Sequence, residues 1–100
     1  QAEWYEQNKE RLSKKSAEMR EERTAFVNGL KEKSGCQTCS EKSACCLDFH
    51  HIDPDNKTHE ISRMAQNAYS HDQILAEIKK CVILCSNCHR KLHSGQLTLI

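Results

Sequence analysis

Helix breakers are almost missing from this chain: one proline, Pro54, and three glycines in 100 residues. The first 34 residues hold no proline, no cysteine and no histidine, so nothing there interrupts a helix except a single glycine. No apolar run approaches the roughly 20 residues that a membrane span needs, which excludes a membrane-spanning helix. No positively charged start followed by an apolar stretch reads as a leader, so the expectation is an intracellular, cytoplasmic protein. There is no acidic tail and no basic block: 15 Lys and Arg stand against 14 Asp and Glu. Attraction of nucleic acid by the field of the whole molecule is thereby excluded, and any such contact must come from a local patch. Repeats and low-complexity tracts are absent too, and a chain of this length makes one domain at most.

What is present divides the chain in two. Residues 1–34, with "EQNKERLSKKSAEMREER" at their centre, intersperse charges of both signs and read as a long helix over about 3–31, closed by Ser34-Gly35. Tyr5, Leu12, Met19 and Phe26 repeat every seven residues, but Asn8, Lys15 and Arg23 leave the other half of the seam polar. A full coiled coil wants both positions apolar. The expectation is a solvated helix whose last turns, Phe26, Val27 and Leu30, dock on the rest. The chain would be a monomer, with a weak dimer through this helix as the sharper alternative. The remaining residues 35–100, about 65, are too few to rely on a hydrophobic core alone and call for a staple.

Within that part, Cys36 to Cys39 reads as a turn and Cys45 to His51 as a strand. Residues 53–70 read as a loop, with a short extended piece around Ile61. Ser70-His71-Asp72-Gln73 is a capping-box pattern that opens a helix over about 71–80. Cys81 to Leu84 reads as a short apolar strand. Ser86 can cap a last helix, about 87–94, stopped by Gly95.

Seven cysteines is a high count, and an odd one, which argues against a secreted disulfide scaffold. Four fall in two pairs, Cys36-x-x-Cys39 and Cys85-x-x-Cys88. A CxxC turn lets both sulfurs reach one ion, and Zn²⁺ takes four thiolates in a closed tetrahedron, structural rather than catalytic. A redox pair would need only one CxxC, and buried free thiols would need neither spacing. Cys45, Cys46 and Cys81 read as small apolar residues in strands.

The last helix reads "CSNCHRKLHSG". His89 and His93 are four apart and project from one helical face, a bidentate metal site. A third ligand would come from the adjacent pair His50-His51. Three imidazoles with open positions make a Lewis-acid site. The remaining histidine, with an ordinary pKa of about 6.5, can accept a proton near neutrality. His59 and His71 have no partner pattern and read as ordinary surface residues.

The order "CQTC", "LDFHHIDPDNK", "KCVILCSNCHRKLH" resembles the HNH endonuclease family, the ββα-metal nucleases, over about residues 36–94. It is similar to small bacterial and phage members with a four-cysteine zinc knuckle, and "FHHIDP" with His-x3-His resembles the colicin DNase pattern. The resemblance implies a bacterial or phage origin and an α+β fold, a zinc-stapled, treble-clef-like ββα-metal domain behind the long N-terminal helix. It implies a β-hairpin and helix clamping one divalent ion, Mg²⁺, Mn²⁺, Ni²⁺ or Zn²⁺, through His50, His89 and His93. His51 would be the general base, and double-stranded DNA the substrate, nicked to leave a 5′-phosphate and a 3′-hydroxyl. Strict strand alternation would put His51 on the face of Leu47 and Phe49, which leaves the reverse assignment of the two histidines open. The family's middle asparagine, which orients the base, is missing: its register holds Lys80 or Cys81, leaving Asn67 or a backbone carbonyl for the role. For phosphate contacts the candidates are Lys57, Arg63, Lys79, Lys80, Arg90 and Lys91, with Arg90 and Lys91 foremost because they flank a ligand. The rival reading is a non-catalytic zinc module that binds nucleic acid or protein.

Overall fold

The computed structural model describes residues 2–99. It is a small α+β protein of four α-helices and a two-stranded sheet. The first helix, α1 (Ala2–Ser34), runs 33 residues without a break, a length of about 50 Å at 1.5 Å per residue. Gly35, at φ 68°, ends it: its N–H returns to the Lys31 carbonyl at 2.7 Å. A Cβ there would lie 3.1 Å from Lys42 Cγ and 3.3 Å from the Glu41 carbonyl, so a side chain would be crowded as well as strained by the left-handed backbone.

Only the second half of α1 is docked. Val27 is buried against Ile61, Met64, Ala65 and Ile74, with Phe26 packed at the margin, as the apolar last turns lead one to expect. Arg23 is buried as well, and its Nε donates to the Ala65 carbonyl at 3.0 Å. That carbonyl lies in the last turn of a helix, where acceptors lack partners and a cation is favoured. Trp4, Tyr5, Leu12 and Met19 stay exposed on the free half. Among the described residues no helix is long and apolar enough to cross a membrane.

The sheet pairs β1 (Leu47–His51) with β2 (Cys81–Cys85), antiparallel, from Leu47 opposite Cys85 to His51 opposite Cys81. The strands are not joined by a tight hairpin, because residues 52–80 intervene. That connection is not the loop the sequence suggested. It contains α2 (Ile61–Gln66), where an extended piece was expected. Ile61, Met64 and Ala65 are its buried residues, an i, i+3, i+4 stripe. Six residues cannot hold a helix by propensity; burial against α1 holds this one.

The next helix, α3 (His71–Ile78), opens with the expected capping box. Ser70 Oγ accepts from Gln73 N–H at 3.1 Å, and Gln73 Oε1 accepts from Ser70 N–H at 2.8 Å. The helix stops at Ile78, so Lys79-Lys80 form the turn into β2, where the Lys80 carbonyl accepts from Ile52 N–H at 3.0 Å. The last helix, α4 (Ser86–His93), is capped by Cys85 rather than Ser86. It ends before Gly95, φ 83°.

Two corrections concern the spare cysteines. Cys45 and Cys46 lie in a 3-10 turn, Ala44–Cys46, not in the strand, and Cys45 is exposed. Cys81 is in its strand and packs against the Val27 core, its thiol pushed up to about 11 by burial and by the charge of Glu77.

The apolar interior is split. One cluster is Val27, Ile61, Met64, Ala65 and Ile74; the other is Cys36, Leu47, Leu84, Cys85 and Cys88. Ile74 has no exposed surface and anchors the first cluster. Ile74→Ala is expected to cost about 2–5 kcal/mol in urea unfolding followed by far-ultraviolet circular dichroism. Met19→Ala, on the free half of α1, should stay within about 0.5 kcal/mol. Equal effects would contradict the division of α1 into docked and free halves.

Candidate metal centres and a buried histidine–glutamate pair

The thiols of Cys36, Cys39, Cys85 and Cys88 converge so that all four sulfurs lie within 4.8 Å of one another. The elements explain why. Cys36 follows the Gly35 stop, and Gln37 N–H reaches the Ile83 carbonyl at 2.8 Å, which lays the first turn beside β2. Cys85 ends β2 and Cys88 lies in the first turn of α4. Backbone N–H groups aim at three of the sulfurs: Cys85 N–H donates to Cys36 Sγ at 3.2 Å, Cys88 N–H to Cys85 Sγ at 3.4 Å, and Glu41 N–H to Cys39 Sγ at 3.5 Å.

The thiols cannot all ionise by themselves. Burial raises Cys36, but N–H donation from Cys85 and Thr38 outweighs it and lowers the thiol to about 6. Cys39 receives the Glu41 N–H, yet the thiols of Cys36 and Cys85 push it up to about 12. The pair Cys39 Sγ and Cys85 Sγ stand 3.6 Å apart, far beyond the roughly 2.05 Å of a disulfide. All seven cysteines are free. Crowded sulfurs that already receive N–H donors fit one divalent ion, and the cluster could hold a structural zinc.

A second cluster lies across the sheet. His50 on β1 and His89 and His93 on α4 bring one ring nitrogen each within 4.8 Å of the others. His50 Nδ1 and His89 Nε2 are 3.3 Å apart, and the His89 and His93 ring centroids 4.8 Å. Alternation along β1 puts Asp48 on the same face as His50, and its Oδ2 lies 3.4 Å from His89 Nδ1. One nitrogen of His89 thus faces the cluster and the other a carboxylate, the usual way of orienting a ligating imidazole. Burial holds His50 below its ordinary pKa, as do His89, His93 and His51. Neutral imidazoles are what a metal requires.

His51 points elsewhere. Its Nε2 lies 2.8 Å from Glu77 Oε2, with the two side chains 7% and 3% exposed. Glu77 is the residue that sequence reasoning missed. Burial would raise its pKa. The Thr58 hydroxyl, the Lys80 ammonium, the Thr58 N–H and His51 outweigh burial and hold it well below the usual carboxylate range. Lys80 Nζ stands 3.0 Å away. A signal was available: Glu77 follows Ile74 by three positions and shares the buried face of α3, where a carboxylate must have partners.

Asn67, the residue considered for orienting the base, instead donates its Nδ2 to the Arg63 carbonyl at the end of α2, at 2.6 Å. Lys80 does reach the pair, but through Glu77. His71 is not an ordinary surface residue: its ring stacks on Phe26 at 3.9 Å and 6°, and Nε2 contacts Glu22 at 2.9 Å. His59 is exposed, with its ring 5.1 Å from Tyr69. Arg90 and Lys91 are exposed on α4 next to His89, and Arg63 and Lys79 are exposed as well. Lys57 pairs with Glu60. No protein-family model, curated protein or solved structure matches the chain.

The cysteine cluster joins the end of α1 to the start of α4, so its loss should be a folding defect. Metal analysis of the purified chain is expected to give zinc that requires Cys36, Cys39, Cys85 and Cys88. Cys36→Ser should lose that zinc and the amide dispersion of residues 35–99 in NMR spectra, because metal binding to so small a part is folding free energy. A zinc-free Cys36→Ser chain with native dispersion would contradict this.

Proposed function

We propose that the chain is a metal-dependent DNA endonuclease of the HNH, or ββα-metal, class that nicks double-stranded DNA. The observation that carries the reading is the division of labour between adjacent histidines: His50 joins His89 and His93, while His51 is turned to Glu77. This division is the one the family resemblance implies, and it favours His50 over His51 as the ligand.

A divalent ion held by His50, His89 and His93 would supply Lewis acidity to a phosphate oxygen and to the leaving 3′ oxygen. The chain's own groups do the rest. Glu77 accepts from His51 Nε2–H, which leaves Nδ1 as the lone pair able to take a proton from water. That water oxygen bonds to phosphorus, the P–O3′ bond breaks, the leaving O3′ takes a proton from solvent water, and a 5′-phosphate and a 3′-hydroxyl result. Glu77, negative and buried, faces the ring as it becomes positive, a role like that of the carboxylate in a histidine dyad. Arg90 and Lys91 provide local positive charge beside His89 on a chain of almost even charge. One histidine cluster reaches one strand at a time, so the product is a nick.

A second reading has its own support. The His51 side chain is only 7% exposed, as befits a structural hydrogen-bonded pair inside a zinc-stapled interaction module. Plasmid cleavage separates the two. Chain depleted of its second metal and resupplied with Mg²⁺, Mn²⁺, Ni²⁺ or Zn²⁺ in turn should convert supercoiled plasmid to open circles before any linear DNA. His51→Ala should cost about 10²–10⁴-fold in rate with metal content unchanged. His89→Ala and His93→Ala should weaken the second metal, and Glu77→Gln should slow nicking while keeping the cysteine-bound zinc. Absence of nicking with every metal would leave the interaction module.

A further inference from the structure

Beside the histidine cluster, α1, α2 and β1 enclose a cleft of about 340 Å³. One end is formed by Asp48 and His89, the carboxylate and imidazole described above. Its apolar lining comes from Val27, Ile61, Ala65 and the ring of Phe49, over which the Lys31 ammonium lies 5.4 Å from the centroid. Asn28 on α1 and Gln66 on α2 add side-chain amides, and Thr24 lies beside them. Gln66 Nε2 and Thr24 Oγ1 are 3.4 Å apart.

The lining selects its occupant. The volume is at the small end of the range for ligand pockets, about 300–1,000 Å³, with room for one ring system and not for a stretch of duplex. Asp48 and Glu60 line the cleft with one ammonium, Lys31, which already lies over the Phe49 ring, so the lining offers a phosphate no cluster of cations. A flat, neutral ring with polar edges fits: apolar atoms take its face, and amides, each both donor and acceptor, take its edges. A ring of that kind next to a phosphodiester is a nucleobase. A base stacked inside a duplex cannot enter; an unstacked one can.

We propose that this cleft takes one unstacked nucleobase flanking the phosphodiester that is cut, so that the chain nicks best beside an unpaired nucleotide. The inference rests on the endonuclease reading for its cleavage arm, and on binding alone for the other.

Two short duplexes identical except for one unpaired 2-aminopurine test it. The intact, metal-loaded chain should nick next to the unpaired base at least about tenfold faster than the fully paired duplex, the scale that stacking of one base supplies. Thr24→Trp, which fills the cleft, should bring the ratio to about one. Asn28→Ala is the milder variant, and should lower the ratio without refolding demands. In the binding arm, 2-aminopurine fluorescence should change on adding the intact chain and not on adding Thr24→Trp, whether or not the DNA is cut. Equal nicking of both duplexes overturns the subsite and leaves the endonuclease standing. No nicking at all, with a fluorescence change that Thr24→Trp abolishes, overturns the endonuclease and keeps the subsite. A preference or a fluorescence change that survives Thr24→Trp overturns the assignment to this cleft.

Discussion

A carboxylate nearly sealed from water has to be satisfied at every oxygen, and Glu77 meets that demand by recruiting partners from three places. The end of β1 contributes His51, the connection after it contributes the Thr58 hydroxyl and N–H, and the turn into β2 contributes Lys80. Removing any partner leaves charge or a donor stranded, and an unpaired buried group costs far more than one hydrogen bond contributes. The network therefore fixes the ring of His51 and the path of residues 57–59 together. It also explains why α3 packs where it does: its capping box sets the start, Ile74 fills the core, and one turn on Glu77 reaches the sheet.

The two apolar clusters are each too small to carry a fold. Each has a polar partner at its edge. The Val27 cluster is closed by Arg23 on the Ala65 carbonyl and by His71 stacked on Phe26. The Leu47 cluster is closed by the four thiols, with Leu92, Leu97 and Leu99 packed around it. The sheet runs between them, and its pleat delivers His50 to α4 on one face and His51 to α3 on the other. The separation of the two histidines is thus a property of strand geometry and not of any special backbone conformation; no non-glycine residue among those described has a positive φ.

Much of this was legible in the sequence, for stated physical reasons. The capping box at Ser70, the glycine stops at Gly35 and Gly95, and the CxxC and His-x3-His spacings are local signals, and local signals survive folding. The long helix follows from the absence of breakers. The misses were tertiary. Ile61, Met64 and Ala65 carried a helical stripe, but over six residues it was too short to outweigh the surrounding turn formers. Cys85 caps α4 because its thiol is free to accept from Cys88 N–H, whereas Ser86 looked the better cap by residue type. Glu77, His71 and Arg23 look like solvated charges until their partners, far away in the chain, are known.

The free half of α1 has a practical consequence for observing the protein. The chain has a single tryptophan, Trp4, and it is 56% exposed. The molecule measures 59 × 28 × 22 Å, and Trp4 lies near the tip of a helix that is anchored in the core through its other half. Tryptophan emission therefore reports water in the folded and the unfolded chain alike. It is blind to both candidate metal clusters and to the Glu77 network. The aromatic rings that sense the interior are Phe26, Phe49 and Tyr69, so a flat tryptophan signal through a titration says nothing about whether the core has melted.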